Sequence, residues 1–396
     1  MKLLFIAWDG VGDHYMRGLF LPIMNGLRQK GFDVHILHLS SMPRNKLEAL
    51  QELSRQLELS YHHVQIKRSA RGFVEAVFSG RSWLKRYKKK HKNGMVMPRS
   101  LMPALLVRLA GLGGHTLIYD ADGLALDERL DFAGWQESSL KFRFFKGIEN
   151  WVMIKSHRVL VRTEKAKEVL LKRYPHLSKR QIRVVINGKN ELLFAPLNET
   201  VRQKLRMELE VGKEDILVVY CGTLAPQYCL DEMLSWFAHL SENKVANTKL
   251  MVITGQQEMI QAHDRYNQLQ DQIILKTVAA EEVPRLLGSA DIALALRKAS
   301  FSMRGVSPIK IGEYLMCGLP VIASKGIGDT EAILAPLSSS QLIDESDPDQ
   351  LLNSVSVYLE SIRSMSEVPL SESVEQGRKH YSMEKAIDSY LQVLHE

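Results

Sequence analysis

Within FSMRGVSPIKIGEYLMCGLPVIAS, residues 301–324, Lys310 and Glu313 stand three apart in an otherwise largely apolar stretch. At that spacing the two side chains share one face of a helix. Ser307 suits an N-cap and Pro308 the first helical position, so the pattern predicts a helix over 308–317, ended by Gly318. A helix start carries free N–H groups and partial positive charge, which makes it an anion site. One chemistry this allows is a phosphate over Ser307, Pro308, Ile309 and Lys310, with Glu313 one turn deeper accepting hydrogen bonds from a neutral diol. The other is an ordinary surface ion pair.

The elements around this pair follow from apolar runs. KLLFIAW (2–8), a glycine-containing turn DGVGDH (9–14), an amphipathic helix to about Lys30 and DVHILHL (33–39) make a βαβ unit. Weaker strand signals follow at 61–66, then strands at 116–120 and 157–163. A second series begins with DILVVYCG (215–222) and continues through 249–255, 273–278, 292–297 and 320–324, with helical stretches between. The fold class is therefore α/β, with two doubly wound Rossmann-like sheets. The joint falls near VVINGKNELLFAP (184–196), which has no helical period. SMEKAIDSYLQVLHE (382–396) closes the chain as a helix.

In open α/β sheets ligands bind outside the carboxyl ends of the strands. The turns there hold Gly10 and Gly12 in the first half, and Gly222, Thr223, Leu224 and the Ser307 to Glu313 segment in the second. All are expected to line one cleft between the two domains. A nicotinamide site does not fit: the third fingerprint position is Tyr15, and the second strand ends without the acid that grips a ribose.

A chain of 396 residues with 45% hydrophobic residues suggests two ordinary globular domains. Residues 1–195 hold 34 Lys+Arg and 17 Asp+Glu, hence +17, and the rest carries −10. Such asymmetry points to halves with different partners. No nucleic-acid motif appears, and nucleic acid is not expected as a partner. Cys221, Cys229 and Cys317, odd in number and scattered, favour a reducing compartment over a disulfide framework. No apolar run reaches the roughly 18 residues of a membrane span. Asp9 breaks the N-terminal apolar run too early for a signal peptide, so a cytoplasmic protein is expected.

The segment SPIKIGEYLMCGLPVIASKGIGD resembles the donor-binding motif of GT-B glycosyltransferases, in particular the retaining glycosyltransferase family 4, or group 1, proteins. VVINGKNELLF, with Phe194, is similar to that family's interdomain segment. IYDADGLALDERLDFAGW, VLVRTEKAKEVLLKRY and YCGTLAPQYCLDEML resemble its other strands and loops, and MPRS (97–100) sits where some members have a His-x-Arg-Ser loop. The resemblance implies an acceptor domain over 1–190, a nucleotide-sugar domain over 191–380, and a last helix, 381–396, returning toward the first. It implies sugar transfer to a glycan or lipid-linked acceptor in polysaccharide or glycolipid synthesis, retaining and metal-independent, with no cofactor.

The resemblance assigns donor contacts to Gly222, Thr223, Leu224, Val278, Ser307, Pro308, Ile309, Lys310 and Glu313. The ribose hydroxyls would meet Glu313, and Lys310 would face the diphosphate. Catalytic candidates are Lys310, Glu313 and Arg99, with Asp13 and His14 as the acid or base of an inverting reaction or, equally, plain turn residues. Gly10, Gly12, Arg99, Ser100, Asp122 and Glu128 fall on the acceptor side. The chain departs from the family where Gly305 replaces the first of two glutamates, where Thr223 and Tyr228 replace an Arg and a Lys, and where Met97 replaces a His. Arg297 and Arg304 are the cations placed to make up that charge. Asp120-Ala121-Asp122 matches a metal motif in letters only.

LKRYKKKHK (84–92) gathers Lys85, Arg86, Lys88, Lys89, Lys90 and Lys92 beside Trp83 and Tyr87. It reads as a solvated helix face or as a peripheral contact with an anionic inner-membrane face. Two other functions stay open: a sugar-nucleotide epimerase on the same fold, and a catalytically silent glycosyltransferase-like partner subunit, which the Gly305, Thr223 and Tyr228 departures would suit.

Overall fold

The computed structural model describes residues 1–13, 15–242, 247–344 and 370–396. The chain divides into two compact units. The N-terminal unit takes Met1–Gly188, Arg304–Val306 and Met383–Glu396; the C-terminal unit takes Lys189–Met303 and Ser307–Ser382.

The N-terminal unit is built on seven parallel strands: β1 (Lys2–Asp9), β2 (Asp33–Ser40), β3 (Ser60–Gln65), β4 (Met95–Pro98), β5 (Thr116–Asp122), β6 (Arg158–Val161) and β7 (Ile182–Val184). Their spatial order is β3-β2-β1-β4-β5-β6-β7. The chain order reverses between β1 and β4, so the ends of these two strands form the switch point where open sheets bind ligands. β4 and β7 are short, and periodicity does not reveal them. MVMP is a fully buried four-residue strand in which Pro98, its last residue, pairs with Ile6. The segment from 97 expected as a loop is thus strand as far as Pro98, and Met97 is core, at 0% exposure.

The first turn leads into a π-helical turn, Met16–Phe20, and then the α-helix Leu21–Gln29, which has Pro22 in its first turn. A proline there lacks the N–H of a continuous helix, consistent with the wider turn before it. Gly26 of that helix meets the last helix, Met383–His395, so closely that a Cβ would lie 2.1 Å from Ile387 Cδ1.

The C-terminal unit has six parallel strands: β8 (Ile216–Cys221), β9 (Thr248–Ile253), β10 (Ile273–Lys276), β11 (Ile292–Ala295), β12 (Val321–Ser324) and β13 (Gln341–Ile343), ordered β10-β9-β8-β11-β12-β13. Its switch point lies between β8 and β11. β8 is buried at every position, which explains its uninterrupted apolar run.

The helix Ile309–Met316 crosses between β11 and β12 and is positioned by the helix Leu370–Tyr381. Gly312 lies against Tyr381, where an added Cβ would come 2.2 Å from Cγ, and a Cβ added at Gly377 would come 2.7 Å from the Met316 backbone nitrogen. Two glycines, one on each helix, let the helices approach at backbone distance.

Candidate functional site

The helix that carries Lys310 and Glu313 begins one residue later than its sequence implies. Pro308, not Ser307, occupies the N-cap, in an extended conformation at φ −70° and ψ 105° and with no side-chain cap. The first-turn N–H groups of this helix therefore have no capping side chain.

The surface ion-pair reading of Lys310 and Glu313 fails. Glu313 is 2% exposed. Its Oε2 accepts from Lys310 Nζ at 2.6 Å and its Oε1 from Lys189 Nζ at 2.9 Å. Lys310 Nζ also reaches Cys221 Sγ, at 3.4 Å, at the carboxyl end of β8. Tyr314, one residue beyond Glu313, accepts from the Cys221 N–H at 2.9 Å and ties the helix to the same strand end. Burial by itself would raise the Glu313 pKa, but Lys310 and Lys189 outweigh it and hold the carboxyl below its usual range. Burial likewise opposes the Lys310 charge, and Glu313 more than restores it. The group is a lysine–glutamate–lysine cluster, two amines on one carboxylate. Sequence reading missed Lys189; its only signal was a lysine directly after Asn187-Gly188 in the connecting segment.

Gly222, Thr223 and Leu224 follow β8, beside Lys310. The Tyr220 hydroxyl donates to the Thr223 carbonyl at 2.7 Å, and the Leu224 N–H donates to Gln256 Oε1 at 2.8 Å, which fixes the loop. Arg297, just beyond β11, donates from Nη2 to the Tyr228 hydroxyl at 3.1 Å and lies 4.6 Å over its ring. Arg297 thus stands at the switch point of this unit, next to one of the positions where a family cation is replaced. Val278 follows β10, two strands away from β8, and packs on the apolar core.

In the N-terminal unit the ends of β1, β4, β5 and β6 bring together Asp9, Arg99, Asp120, Asp122 and Arg162. Arg99 donates to Asp122 at 2.6 Å and lies 4.4 Å over the Phe20 ring. Arg162 donates to fully buried Asp120 at 2.8 Å, to Asn187 at 2.9 Å and to the Tyr390 hydroxyl at 3.2 Å. Burial would raise the Asp122 pKa, but Arg99 and Arg162 hold it low. The Asp-x-Asp letters thus spell two arginine-paired acids. No group of three or more His, Cys, Asp or Glu among the described residues is placed to hold a metal.

Ser100 and Asp122 both adopt left-handed backbone, at φ 66° and 64°, where the chain turns off the strand ends. Such strain clusters at functional sites. Asp13 is engaged by Arg17 at 3.4 Å and Lys46 at 3.6 Å. His14 lies outside the described residues. Gly10 has open space around it, and Glu128 stands exposed on the helix Ala125–Phe132. The structure thus brings Arg99, Ser100 and Asp122 together, with Gly10 and Gly12 on the adjoining turn, and leaves Glu128 on the surface.

Gly305 has a physical reason. A Cβ there would lie 2.8 Å from the Leu124 N–H nitrogen, and the Thr163 hydroxyl holds the neighbouring Arg304 carbonyl at 2.6 Å. No glutamate fits at this position. Arg304 is exposed.

The basic run needs one correction. Lys88 is buried, and its ammonium donates to the Ala110 carbonyl at 2.8 Å and to the Gly111 carbonyl, at the end of the helix Leu101–Ala110. Burial lowers its pKa to about 8. Tyr87 is buried too, and Trp83 stacks between it and His62. Lys85, Arg86, Lys89, Lys90 and Lys92 remain exposed.

Residues 201–367 match the family model described as glycosyl transferases group 1. The whole chain superposes on solved structures of low sequence identity. One is Anabaena Alr3699/HepE in complex with UDP and glucose, at TM-score 0.75 and 14% identity, covering 100% of both chains. Another is sucrose-phosphate synthase from Thermosynechococcus elongatus, at TM-score 0.76 and 14% identity over 99% of this chain and 98% of that one. WaaG, a glycosyltransferase involved in lipopolysaccharide biosynthesis, matches at TM-score 0.67 and 16% identity over 98% of each. No curated protein matches the sequence.

Proposed function

We propose a donor and an acceptor for what is, by its two parallel sheets and its residues 201–367, a GT-B glycosyltransferase of the group 1 family. The chain takes a nucleotide-sugar on its C-terminal unit and passes the sugar to a glycan or lipid-linked acceptor of cell-surface polysaccharide or glycolipid synthesis. The observation that carries this reading is the buried Glu313 between Lys310 and Lys189 at the carboxyl end of β8. Ribose hydroxyls are donors and would take up positions on Glu313 that ammonium groups now hold. The ammonium released, with the uncapped N–H groups of the helix start, would meet the diphosphate. HepE, a neighbour in fold, is a protein whose structures hold UDP and UDP-glucose, which supports a nucleotide-sugar here.

As the C1–O bond to phosphate breaks, its electron pair leaves with the nucleoside diphosphate. The acceptor oxygen bonds C1 and its proton passes to the departing phosphate, with retention and without a metal. Lys310 stabilises the charge that grows on that phosphate.

For a lipid-linked acceptor, the helix Ala70–Lys90 supplies a contact surface. Val74, Phe78, Lys85 and Lys89 recur at helical spacing along one exposed face, apolar toward its start and basic toward its end. We therefore place the protein as cytoplasmic and peripheral on the inner membrane face. No helix among the described residues is long and apolar enough to cross a membrane.

The test is a melting-temperature screen with UDP, GDP, CMP and their sugars. One nucleoside diphosphate is expected to raise the melting temperature in proportion to the logarithm of its concentration. No shift with any of them would favour the silent partner subunit, and donor isomerised without acceptor would favour the epimerase.

A further inference from the structure

Behind the first turn of the N-terminal unit lies a hydrogen-bonded chain that the reading above does not use. His38, on β2, is 0% exposed. Its Nε2 lies 2.9 Å from Asp9 Oδ2, and its Nδ1 lies 2.6 Å from the Tyr61 hydroxyl on β3. Nε2–H can donate to the carboxylate while Nδ1 accepts from Tyr61, so both ring nitrogens and the hydroxyl have partners. Such a buried histidine has one orientation. It fixes the Asp9 carboxylate, whose side chain is 17% exposed, at the carboxyl end of β1.

Asp9 ends one strand of the switch point, and Arg99 follows the other. β1 and β4 are paired, and the Arg99 N–H donates to the Ile6 carbonyl at 2.9 Å, so Asp9 and Arg99 leave adjacent strand ends. Around them are Asp122 on Arg99, and the Tyr15 ring, 56% exposed and 5.6 Å from the Arg99 guanidinium. Two guanidinium nitrogens, Arg99 Nε and Arg162 Nη1, are buried and meet no hydrogen-bond partner among the described residues. Buried donors without partners are costly, and a ligand that supplies oxygen removes the cost. A fixed carboxylate, an arginine with an unused donor and an exposed ring edge suit a neutral polyhydroxyl group, which both donates and accepts.

We propose that Asp9 binds a hydroxyl of the acceptor sugar, with Arg99 donating to the same sugar's oxygens and His38 and Tyr61 as positioning residues. This rests on the transferase reading, which assigns the donor to the other unit. The experiment is saturation-transfer NMR of the full chain with glucose, galactose, mannose and N-acetylglucosamine, at saturating concentration of the nucleoside diphosphate that gives the largest melting shift. At least one sugar is expected to bind the parent protein. Asp9→Asn should weaken it about 10- to 100-fold, the loss of one charge-assisted hydrogen bond, while the nucleotide melting shift stays parental. Tyr61→Phe, which keeps the ring and frees His38, should weaken it several-fold with the same unchanged shift, and Asp9→Glu should not restore parental affinity.

No sugar binding by the parent, or equal binding by Asp9→Asn and parent, would overturn the proposal while the nucleotide reading stands. A parent without any nucleotide shift would remove both. Should Asp9→Asn unfold, the Tyr61→Phe protein decides alone: parental sugar affinity there would overturn the relay.

Discussion

In the C-terminal unit Glu313 is one carboxylate against two ammonium groups, whereas in the N-terminal unit Arg99 and Arg162 answer to three carboxylates, Asp9, Asp120 and Asp122. Both sets lie at the carboxyl ends of parallel strands, and both are buried deeply enough for the charges to be strongly coupled. They run opposite to the bulk charge of the halves that hold them, since the first 195 residues carry +17 and the remainder −10. Site chemistry is therefore set by the few charges the strand ends converge, while the bulk charge lies on outer faces such as the helix Ala70–Lys90. A surplus cation suits a diphosphate; a surplus carboxylate suits hydroxyl groups.

The largest effect should come from removing that surplus cation. Lys310→Ala is expected to lower turnover by about 10²–10³-fold, as for loss of one preorganised electrostatic stabiliser, and to lower donor affinity less. Near-normal turnover measured under saturating donor would move the leaving-group role to Arg297 or Lys189. Arg at position 310 should recover only part of the rate, because a planar fork places its charge differently.

Next comes the support of the helix itself. Gly312→Ala sets a methyl group against the Tyr381 ring at 2.2 Å, and overpacking of this kind costs about 1–3 kcal/mol. Denaturant unfolding should show that loss, and donor affinity should fall with it because Glu313 lies one residue on. A parental midpoint would mean that the helices separate freely.

The acid side of the comparison follows from linkage. The folded Glu313 pKa lies below its unfolded value, so the cluster's contribution is complete above an ordinary carboxylate pKa of about 4.3 and is lost as pH falls through the folded value. The melting temperatures of the parent and Glu313→Gln should therefore converge as pH is lowered through that window. A constant difference from pH 7 down to pH 3 would contradict the ion cluster.

The smallest effects belong to the outer face. Neutralising Lys85, Arg86, Lys89, Lys90 and Lys92 should lower sedimentation with anionic liposomes by up to about 1 kcal/mol per residue and leave the fold intact. Lys88→Ala should do the reverse, destabilising the chain by uncapping two carbonyls while liposome binding is kept. Equal liposome binding by the neutralised protein would return the run to a solvated helix face.

The long strands were readable because their apolar runs are local: KLLFIAWD and ILVVYC announce themselves. MVMP and IRV do not, being three or four residues long beside charged neighbours. The Lys310–Glu313 pair was legible at helical spacing, but Lys189 comes from 124 positions earlier in the sequence, and no local pattern carries such a distance. The same holds for Asp9, His38 and Tyr61, which only strand pairing brings together. Arg162 was not singled out in the sequence, because its partners Asp120 and Tyr390 lie 42 and 228 positions away. Gly305 appeared as a lost acid, and only the approach of Leu124 gives it a reason.

The measurement that bears most directly on the donor site is calorimetric titration of the parent and Glu313→Gln with the nucleoside diphosphate that raises the melting temperature. The variant keeps the side chain's shape and would lose the proposed charge-assisted bond to a ribose hydroxyl, worth roughly 1.5–3 kcal/mol, so its affinity should fall about 10- to 100-fold. Equal affinity in the two proteins would take Glu313 out of the site and leave the lysine–glutamate–lysine cluster as a structural ion pair.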